Sequence, residues 1–460
     1  MSKIIRYCLN KRLPNMGKRL VSFSLIFCLI ANPALAVSLI RDAEIEHTLR
    51  VYADPIFKAA GVNPSTTKLF IVQDNSLNAY VAGGANMFIH TGLIMATETP
   101  DVLIGVMAHE TGHISGGHLA RGTEKMKNAQ LGTILTFVLG AAAAAASKKP
   151  EAAAAIISGG QSSIMRDFLS YTRANEQAAD QSALNSLDKL GISSDGMLKM
   201  FELLRINERK QFGSPDPYMI THPLTNERIE FVRNHIKESK ISAGKYPKSY
   251  DILHQRMIAK LYGFIQTPER TLQKYPINDK SVPARLARAV AYYKFPDLKN
   301  SLKEIDSLID ESPSDPFFHE LKGQILFENG RIDEAFSSYQ TAVKLLPTSA
   351  LLLADLGKIE IAQNLPSTLK SAITHLEKSV ILDNSNSSAW RLIATAYGRI
   401  DNIPMSNLAL AEEGLLNGDL KTALQMSNQA ILTLKKSSPA HRRAQDIKNQ
   451  ATEMEKYNNN

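Results

Sequence analysis

The hydrophobic and polar positions of this 460-residue chain follow two patterns, one in each half. From about residue 37 to residue 245, helical periodicity is interrupted by short apolar runs bounded by glycines, at residues 69–72 and 87–89. Such runs are typical of short strands. From about residue 246 onward the pattern is helical throughout. We therefore expect a mainly α-helical protein with a small β-sheet in its first half.

The second half of the chain also repeats its small residues. Ala289, Gly323 and Gly357 follow one another at intervals of 34 residues, which is the period of the tetratricopeptide repeat. Glycine and alanine at these positions allow the two helices of one repeat to lie close together. Residues 246–460 are therefore predicted to form an α-solenoid of about four to five helical pairs. Such a solenoid binds peptides or protein partners on its concave face and does no chemistry itself.

The N-terminal segment has the order of a secretory signal peptide. Six positive charges and no acidic residue lie within the first nineteen residues, an apolar run covers residues 20–30, and an Ala-Leu-Ala triplet ends at Ala36. This order predicts cleavage near Ala36. A membrane anchor is the alternative, but eleven apolar residues are too few to span about 30 Å as a helix. Both cysteines of the chain lie in this segment, so no disulfide is expected in the mature protein.

The net charge of +8 does not indicate a nucleic-acid partner. Without the six N-terminal charges, 47 basic and 45 acidic residues remain, which leaves no basic surface of the kind that binds phosphates. The composition, with 44% hydrophobic and 21% charged residues, is that of a globular protein and excludes disordered and fibrous classes.

A candidate metal motif follows an apolar run at residues 102–108. The motif is His-Glu-Thr-Gly-His at residues 109–113. On a helix, positions i and i+4 lie on one face, so His109 and His113 can bind the same metal ion. Glu110 lies between them, where its carboxylate can act as general base on a metal-bound water.

Two histidines are too few for a catalytic zinc site, which takes three protein ligands and leaves a fourth position for water. The sequence Asn-Glu-Gln-Ala-Ala-Asp at residues 175–180 supplies Glu176 as the third ligand. Asp180, one helical turn later, is placed to hydrogen-bond the outer nitrogen of a ligating histidine. His118 lies off the ligand face and is assigned no role. The prediction is one Zn²⁺ per chain, although imidazole and carboxylate ligands also suit manganese or iron.

Both motifs resemble those of zinc endopeptidases of the HtpX and CaaX-prenyl-protease type. With the signal peptide before them and the repeats behind, nearly all of the mature chain resembles the periplasmic β-barrel assembly-enhancing proteases of bacteria. The resemblance implies a gluzincin-type protease domain with a small β-sheet. It also implies that His109, His113 and Glu176 are the zinc ligands and that Glu110 is the general base.

A further polar motif lies between two helical stretches of the first half. The proteases named above have a His-Pro pair here, with an arginine six residues after the histidine, and His222, Pro223 and Arg228 match this spacing. The resemblance implies that His222 is an inhibitory fourth ligand and that Arg228 stabilises the transition-state oxyanion or the loop. The alternative is a helix-ending turn at His222 and Pro223, with Arg228 as a surface cation.

Two more features concern substrate and membrane. The resemblance implies that an edge strand at Met87, Phe88 and Ile89 binds the substrate backbone by strand addition.

Residues 131–146 are nearly all small or apolar, which indicates either a flexible lid or an interfacial helix beside the active site. Sixteen residues are too few for a typical membrane-spanning helix, so the membrane contact that we consider for this segment is a peripheral one.

We therefore expect a signal peptide at residues 1–36, a zinc metalloprotease domain at residues 37–245 and a tetratricopeptide-repeat domain at residues 246–460. By resemblance, the protein acts in the periplasm on unfolded or misassembled outer-membrane β-barrel proteins, and its repeats dock on the β-barrel assembly machinery. An alternative from another class is a chaperone or docking factor with a latched, largely silent protease site. A third hypothesis is a secreted protease that acts on exogenous protein.

Overall fold

The computed structural model describes residues 38–118, 121, 172–210, 218, 222–241 and 243–458. The predicted signal peptide with its cleavage site, and the apolar segment at residues 131–146, lie outside the described residues. Within the described residues, no helix has both the length and the apolar character that crossing a membrane requires.

The small sheet has four strands in the described residues, β1 (Leu39–Ile40), β2 (Lys68–Val72), β3 (Ala79–Ala82) and β4 (Asn86–His90). Their spatial order is β1-β2-β4-β3. β4 runs parallel to β2 and antiparallel to β3, whereas β1 pairs antiparallel with β2. The sheet in the first half was predicted, and this prediction is confirmed.

The prediction that Met87, Phe88 and Ile89 form an edge strand is wrong. These residues are paired on one side with β2 and on the other side with β3, so their backbone groups are already used within the sheet. The edge next to them is β3, because a tight turn at Gly83 and Gly84 places β3 outside β4. Chain order could not reveal this arrangement, since the strand that comes last in sequence is inserted between the two earlier ones.

The described part of the first half also contains a short 3₁₀ helix (Pro64–Thr66) and six longer helices. They are α1 (Ala43–Ala59), α2 (Thr91–Ala96), α3 (Pro100–Ser115), α4 (residues 172–190 in its described part), α5 (Asp195–Lys210) and α6 (Asn226–Glu238).

Helix α3 is the central helix of this half, and all its residues from Pro100 to His113 are buried. Its apolar residues join the sheet and α1 in one hydrophobic core. Two glycines of α3 bring the neighbouring helices close. A Cβ added at Gly112 would lie 2.6 Å from the carbonyl oxygen of Ala179 in α4, and one added at Gly105 would lie 2.8 Å from the backbone nitrogen of Met197 in α5.

Within the described residues, the regular elements of the second half are all helices. After α7 (Ser249–Ile265) and α8 (Pro268–Lys274) come five helical pairs, which are α9 (Val282–Lys294) with α10 (Leu298–Glu311), α11 (Pro316–Glu328) with α12 (Ile332–Leu345), α13 (Ala350–Gln363) with α14 (Pro366–Leu382), α15 (Ser387–Arg399) with α16 (Ile403–Leu416), and α17 (Leu420–Thr433) with α18 (Pro439–Asn458).

The small residues that define the repeat lie between the paired helices. A Cβ added at Gly323 would lie 2.6 Å from the ring of Tyr339, and one added at Gly357 would lie 2.6 Å from the side chain of Leu376. Each glycine of the first helix thus leaves room for a large side chain of the second. The predicted fold class, a mainly α protein with a small sheet followed by an α-solenoid of repeats, is confirmed.

Charged residues of α7 join the two halves. Lys260 is fully buried, and its Nζ lies 2.9 Å from a carboxylate oxygen of Asp42 and 3.0 Å from one of Glu320. One turn earlier, Arg256 donates to Glu44 over 2.7 Å. Asp42 and Glu44 lie at the start of α1, whereas Glu320 belongs to the second helical pair. Paired buried charges of this kind fix the relative position of the elements that carry them.

Candidate metal centre

Helix α3 carries two imidazole groups on one face. His109 and His113 are one turn apart, and their Nε2 atoms lie 3.1 Å from each other. Both side chains are buried, because the helix that carries them is covered on all sides. The predicted i, i+4 arrangement is therefore present in the structure.

Two further side chains converge on the same point. Glu176 reaches in from α4, with one carboxylate oxygen 3.4 Å from Nε2 of His109 and the other 3.3 Å from Nε2 of His113. His222, which precedes α6, places its Nδ1 3.2 Å from Glu176 and 3.4 Å from Nε2 of His109. Among the described residues, these four are the group that could hold a metal ion, and all four are buried.

The spacing of these atoms fits a metal ion of the size of zinc. Four ligands at tetrahedral corners, each about 2.0–2.2 Å from the ion, lie about 3.3–3.6 Å apart. Five of the six pairs in the group are separated by 3.1–3.4 Å, close to this range, and all four ligand atoms lie within 4.8 Å of one another. Two histidine nitrogens and one glutamate carboxylate are also a ligand set of catalytic zinc sites.

Glu110 has the position expected of a general base. Both oxygens of its carboxylate are buried, and neither has a hydrogen-bond partner among the described residues. Burial raises the pKa of Glu110 to about 7. The nearest site nitrogen, Nε2 of His222, lies 3.6 Å from one of these oxygens. A buried carboxylate without a partner is costly unless it serves another molecule, such as a water molecule bound in the site.

Asp180 and Arg228 contact the four-residue group. Asp180 lies 2.9 Å from Nδ1 of His109. Arg228 donates to both oxygens of Asp180 over 2.7 and 2.9 Å. Burial alone would raise the pKa of Asp180, but the hydrogen bonds from Arg228 and the nearby ring of His109 outweigh it and hold that pKa below its ordinary value.

Arg228 is buried and not a surface cation. Besides Asp180, it donates to the backbone oxygen of Pro223 over 3.0 Å and lies 2.9 Å from Glu176. Through these contacts Arg228 connects the loop at His222 to α4. These contacts favour the loop role over the oxyanion role.

Two residues near the site were not predicted to matter. The ring of Tyr218 stacks on that of His222, with 4.5 Å between the ring centroids. His118, which was assigned no role, is buried and places its Nδ1 3.0 Å from Nδ1 of His113. The Gly-Gly pair between α3 and His118 was the sequence signal for this contact, because glycines allow the chain to turn back on the helix.

The chain is similar to known peptidases. Residues 40–236 match peptidase family M48. The beta-barrel assembly-enhancing protease of Escherichia coli O157:H7 is 23% identical over 376 residues, which are 80% of this chain and 75% of that protein. The protein of the same name from Yersinia pestis is 24% identical over 378 residues, again 80% and 75% of the two chains. The metalloprotease YcaL of Escherichia coli K12 is 26% identical over 191 residues, 40% of this chain and 69% of that protein. The resemblance stated from the sequence is thereby confirmed.

Proposed function

We propose, from the premise that this chain is a metalloendopeptidase with a peptidase family M48 domain at residues 40–236, that it hydrolyses peptide bonds with one zinc ion. His109, His113 and Glu176 are its ligands, and Glu110 is its general base. The observation that carries the proposal is the four-residue group of buried ligand atoms beside a buried, unpartnered Glu110. We also retain residues 37–245 as the protease domain and residues 246–460 as the repeat domain.

The chain's own residues supply the proton transfers. When bound, zinc lowers the pKa of a water molecule and polarises the scissile carbonyl. Glu110 accepts a proton from the attacking water and later delivers it to the leaving amine. A carboxyl group with a pKa near 7 is suited to both steps, since it takes up and releases a proton at neutral pH. Asp180, anchored by Arg228, keeps the ring of His109 in its binding orientation.

His222 serves as a latch in this proposal. Its Nδ1 lies in the ligand group and its Nε2 points toward Glu110, so it stands where the water would lie between ligands and base. Catalysis therefore requires that His222 leave this position. The stacked Tyr218 and the bond from Arg228 to the oxygen of Pro223 hold the latch closed.

The substrate backbone would bind to β3 and not to β4. β3 is an edge of the described sheet and contacts α3, the helix that carries the two histidines. An extended substrate added to this edge would lie next to the metal centre. Strand addition uses backbone hydrogen bonds, so it selects unfolded segments more than particular side chains.

The similarity to the beta-barrel assembly-enhancing proteases supports the finer assignment. We propose that the protein acts in the periplasm, after removal of residues 1–36, on unfolded or misassembled outer-membrane β-barrel proteins. The repeat domain would dock it on the β-barrel assembly machinery, because a helical solenoid offers an extended surface to a protein partner.

A chaperone or docking factor is the second candidate, and the closed position of His222 favours it. Such a protein would bind the same unfolded chains without cutting them. The Glu110→Gln variant separates the two functions, because a protease loses its effect on substrate whereas a chaperone keeps it.

The test combines elemental analysis of the mature protein with cleavage of casein by the wild type, Glu110→Gln, His222→Ala and His235→Ala. His235 lies on α6 and pairs with Asp188, so it is a matched histidine control outside the ligand group. We expect one zinc per chain, no cleavage by Glu110→Gln, more cleavage by His222→Ala than by the wild type, and no change in His235→Ala.

Two outcomes would contradict the proposal. Absence of any metal from the wild type would remove the catalytic assignment. One zinc per chain with no cleavage by any variant, His222→Ala included, would leave the chaperone function in its place.

A further inference from the structure

We propose that His118 is a positioning residue for the metal ligand His113. Its Nδ1 accepts a hydrogen bond from Nδ1 of His113 and so keeps Nε2 of His113 directed at the ion. This inference rests on the metal centre proposed above and assigns it one more residue.

The geometry of the two rings carries the inference. Their Nδ1 atoms are 3.0 Å apart, and both side chains are buried. Nε2 of His113 faces the ligand group, 3.1 Å from His109 and 3.3 Å from Glu176. An imidazole that binds a metal through Nε2 carries its proton on Nδ1, which must then find an acceptor. His118 provides that acceptor when its own proton is on Nε2.

The two ligating histidines thus have different supports. His109 is held by the carboxylate of Asp180, at 2.9 Å, and that carboxylate is in turn fixed by Arg228. His113 is held by a neutral imidazole. Both kinds of partner fix the tautomer and the ring plane of a ligand, which is the usual role of groups that hydrogen-bond the outer nitrogen of a metal-binding histidine.

The turn after α3 places His118 beside His113. Helix α3 ends at Ser115, and Gly117 has a φ of +60°, a left-handed conformation that turns the chain back toward the helix. The ring of His118 then lies over Gly116. A Cβ added at Gly116 would be 2.4 Å from Nε2 of His118, so the absence of a side chain at this position makes room for the ring.

The test compares His118→Leu with His118→Asn. Leucine fills the space without an acceptor, whereas the Oδ1 of asparagine takes the place of Nδ1 and accepts the bond from His113. Two readouts besides activity are used, the rate of zinc transfer to a chromogenic chelator and the rise in melting temperature on adding zinc to the metal-free protein. The second readout compares each variant with itself, so a general loss of stability does not affect it.

We expect His118→Leu to lose zinc about 10- to 100-fold faster than the wild type, and His118→Asn to remain close to it. Gly116→Ala is a second route to the same change, because the added methyl group displaces the ring of an unaltered His118. It should release zinc faster on its own and add nothing in the His118→Leu background. His254→Leu, which removes another buried histidine, one bonded to Thr97, is the control and should release zinc at the wild-type rate.

Equal zinc release by the wild type and His118→Leu would overturn the proposal. So would equal losses in the leucine and asparagine variants, because packing and not the acceptor would then be responsible. A wild type that binds no zinc would overturn the proposed function and this inference together, which distinguishes that failure from the other two.

Discussion

Arg228 shows how much of the centre depends on one side chain. Its guanidinium contacts Asp180 of α4, the proposed ligand Glu176 and the backbone at Pro223. A lysine has a single ammonium group and cannot bind both oxygens of Asp180 while also reaching Pro223. The Arg228→Lys variant should therefore bind zinc about 10- to 100-fold more weakly, as removal of an outer-shell partner usually does.

Zinc affinity by competition with a chelator measures this change. Arg233→Lys is the matched control, since Arg233 lies on the same helix and pairs with Glu230 at the surface. The control should bind zinc as the wild type does. An Arg228→Lys variant with unchanged affinity would mean that Asp180 holds His109 without help.

The convergence of His109, His113 and Glu176 could be predicted from the sequence, and the contacts around them only in part. His109 and His113 follow from helical spacing alone, and Glu176 and Asp180 lie one turn apart on a second helix. His118 could not be assigned in this way, because its contact depends on the left-handed turn at Gly117, which no helical pattern describes. Helical periodicity predicts what lies on one face of one helix but not where the chain goes after the helix ends.

At the scale of elements, the separation of α3 and α4 sets the distance between the histidines and Glu176. The two helices approach closely because Gly112 faces the backbone of Ala179. In the Gly112→Ala variant, the new methyl group would meet that backbone at 2.6 Å, and backbone atoms cannot rotate away. Forcing the helices apart should cost about 1–3 kcal/mol of unfolding free energy and should also weaken zinc binding.

Gly105→Ala separates the two effects. Gly105 lies on the same helix but faces the backbone of Met197 in α5, which carries no predicted ligand. Both variants should unfold at lower urea concentration, and only Gly112→Ala should lose zinc more readily. Equal zinc affinity in both variants would show that the separation of α3 and α4 does not control the site.

The elements themselves were predicted to different degrees. The 34-residue spacing identified the helical pairs, because glycine recurs where a large side chain such as Tyr339 must fit. The order of strands could not be obtained from the pattern of apolar residues, which is the same for an edge strand and for a central strand next to it. This is the physical reason why β4 was mistaken for the substrate edge.

At the scale of the whole molecule, the buried charges at α7 make the joint between the two halves sensitive to pH. Burial raises the pKa of Glu320 from 4.5 to about 7. A carboxyl group with a raised folded-state pKa binds its proton more tightly in the folded protein than in the unfolded one. Its contribution to stability is therefore complete below about pH 4.5 and decreases as the pH rises toward 7, by up to about 1.4 kcal/mol per pH unit.

This dependence is measured by urea unfolding of the wild type and Glu320→Gln at pH 5, 6 and 7. The difference between the two proteins should change across the series, because glutamine has no proton to lose. Glu334→Gln, at an exposed position where the glutamate pairs with Arg331, serves as control and should follow the wild type. A constant difference between wild type and Glu320→Gln would contradict the assignment.

The contacts at the start of the described chain have a consequence for the order in which the molecule can be completed. Arg41 directly follows β1 and binds Asp383, 342 positions further along, while Asp42 binds Lys260. A chain made from its N-terminus therefore presents Arg41 and Asp42 long before these two partners exist. Until the third helical pair has emerged, Arg41 lacks Asp383, so a nascent chain truncated just before Asp383 should keep the contact of Asp42 with Lys260 and lose this one. The contact of Arg41 with Asp383 thus becomes possible only after three of the five helical pairs have been synthesised.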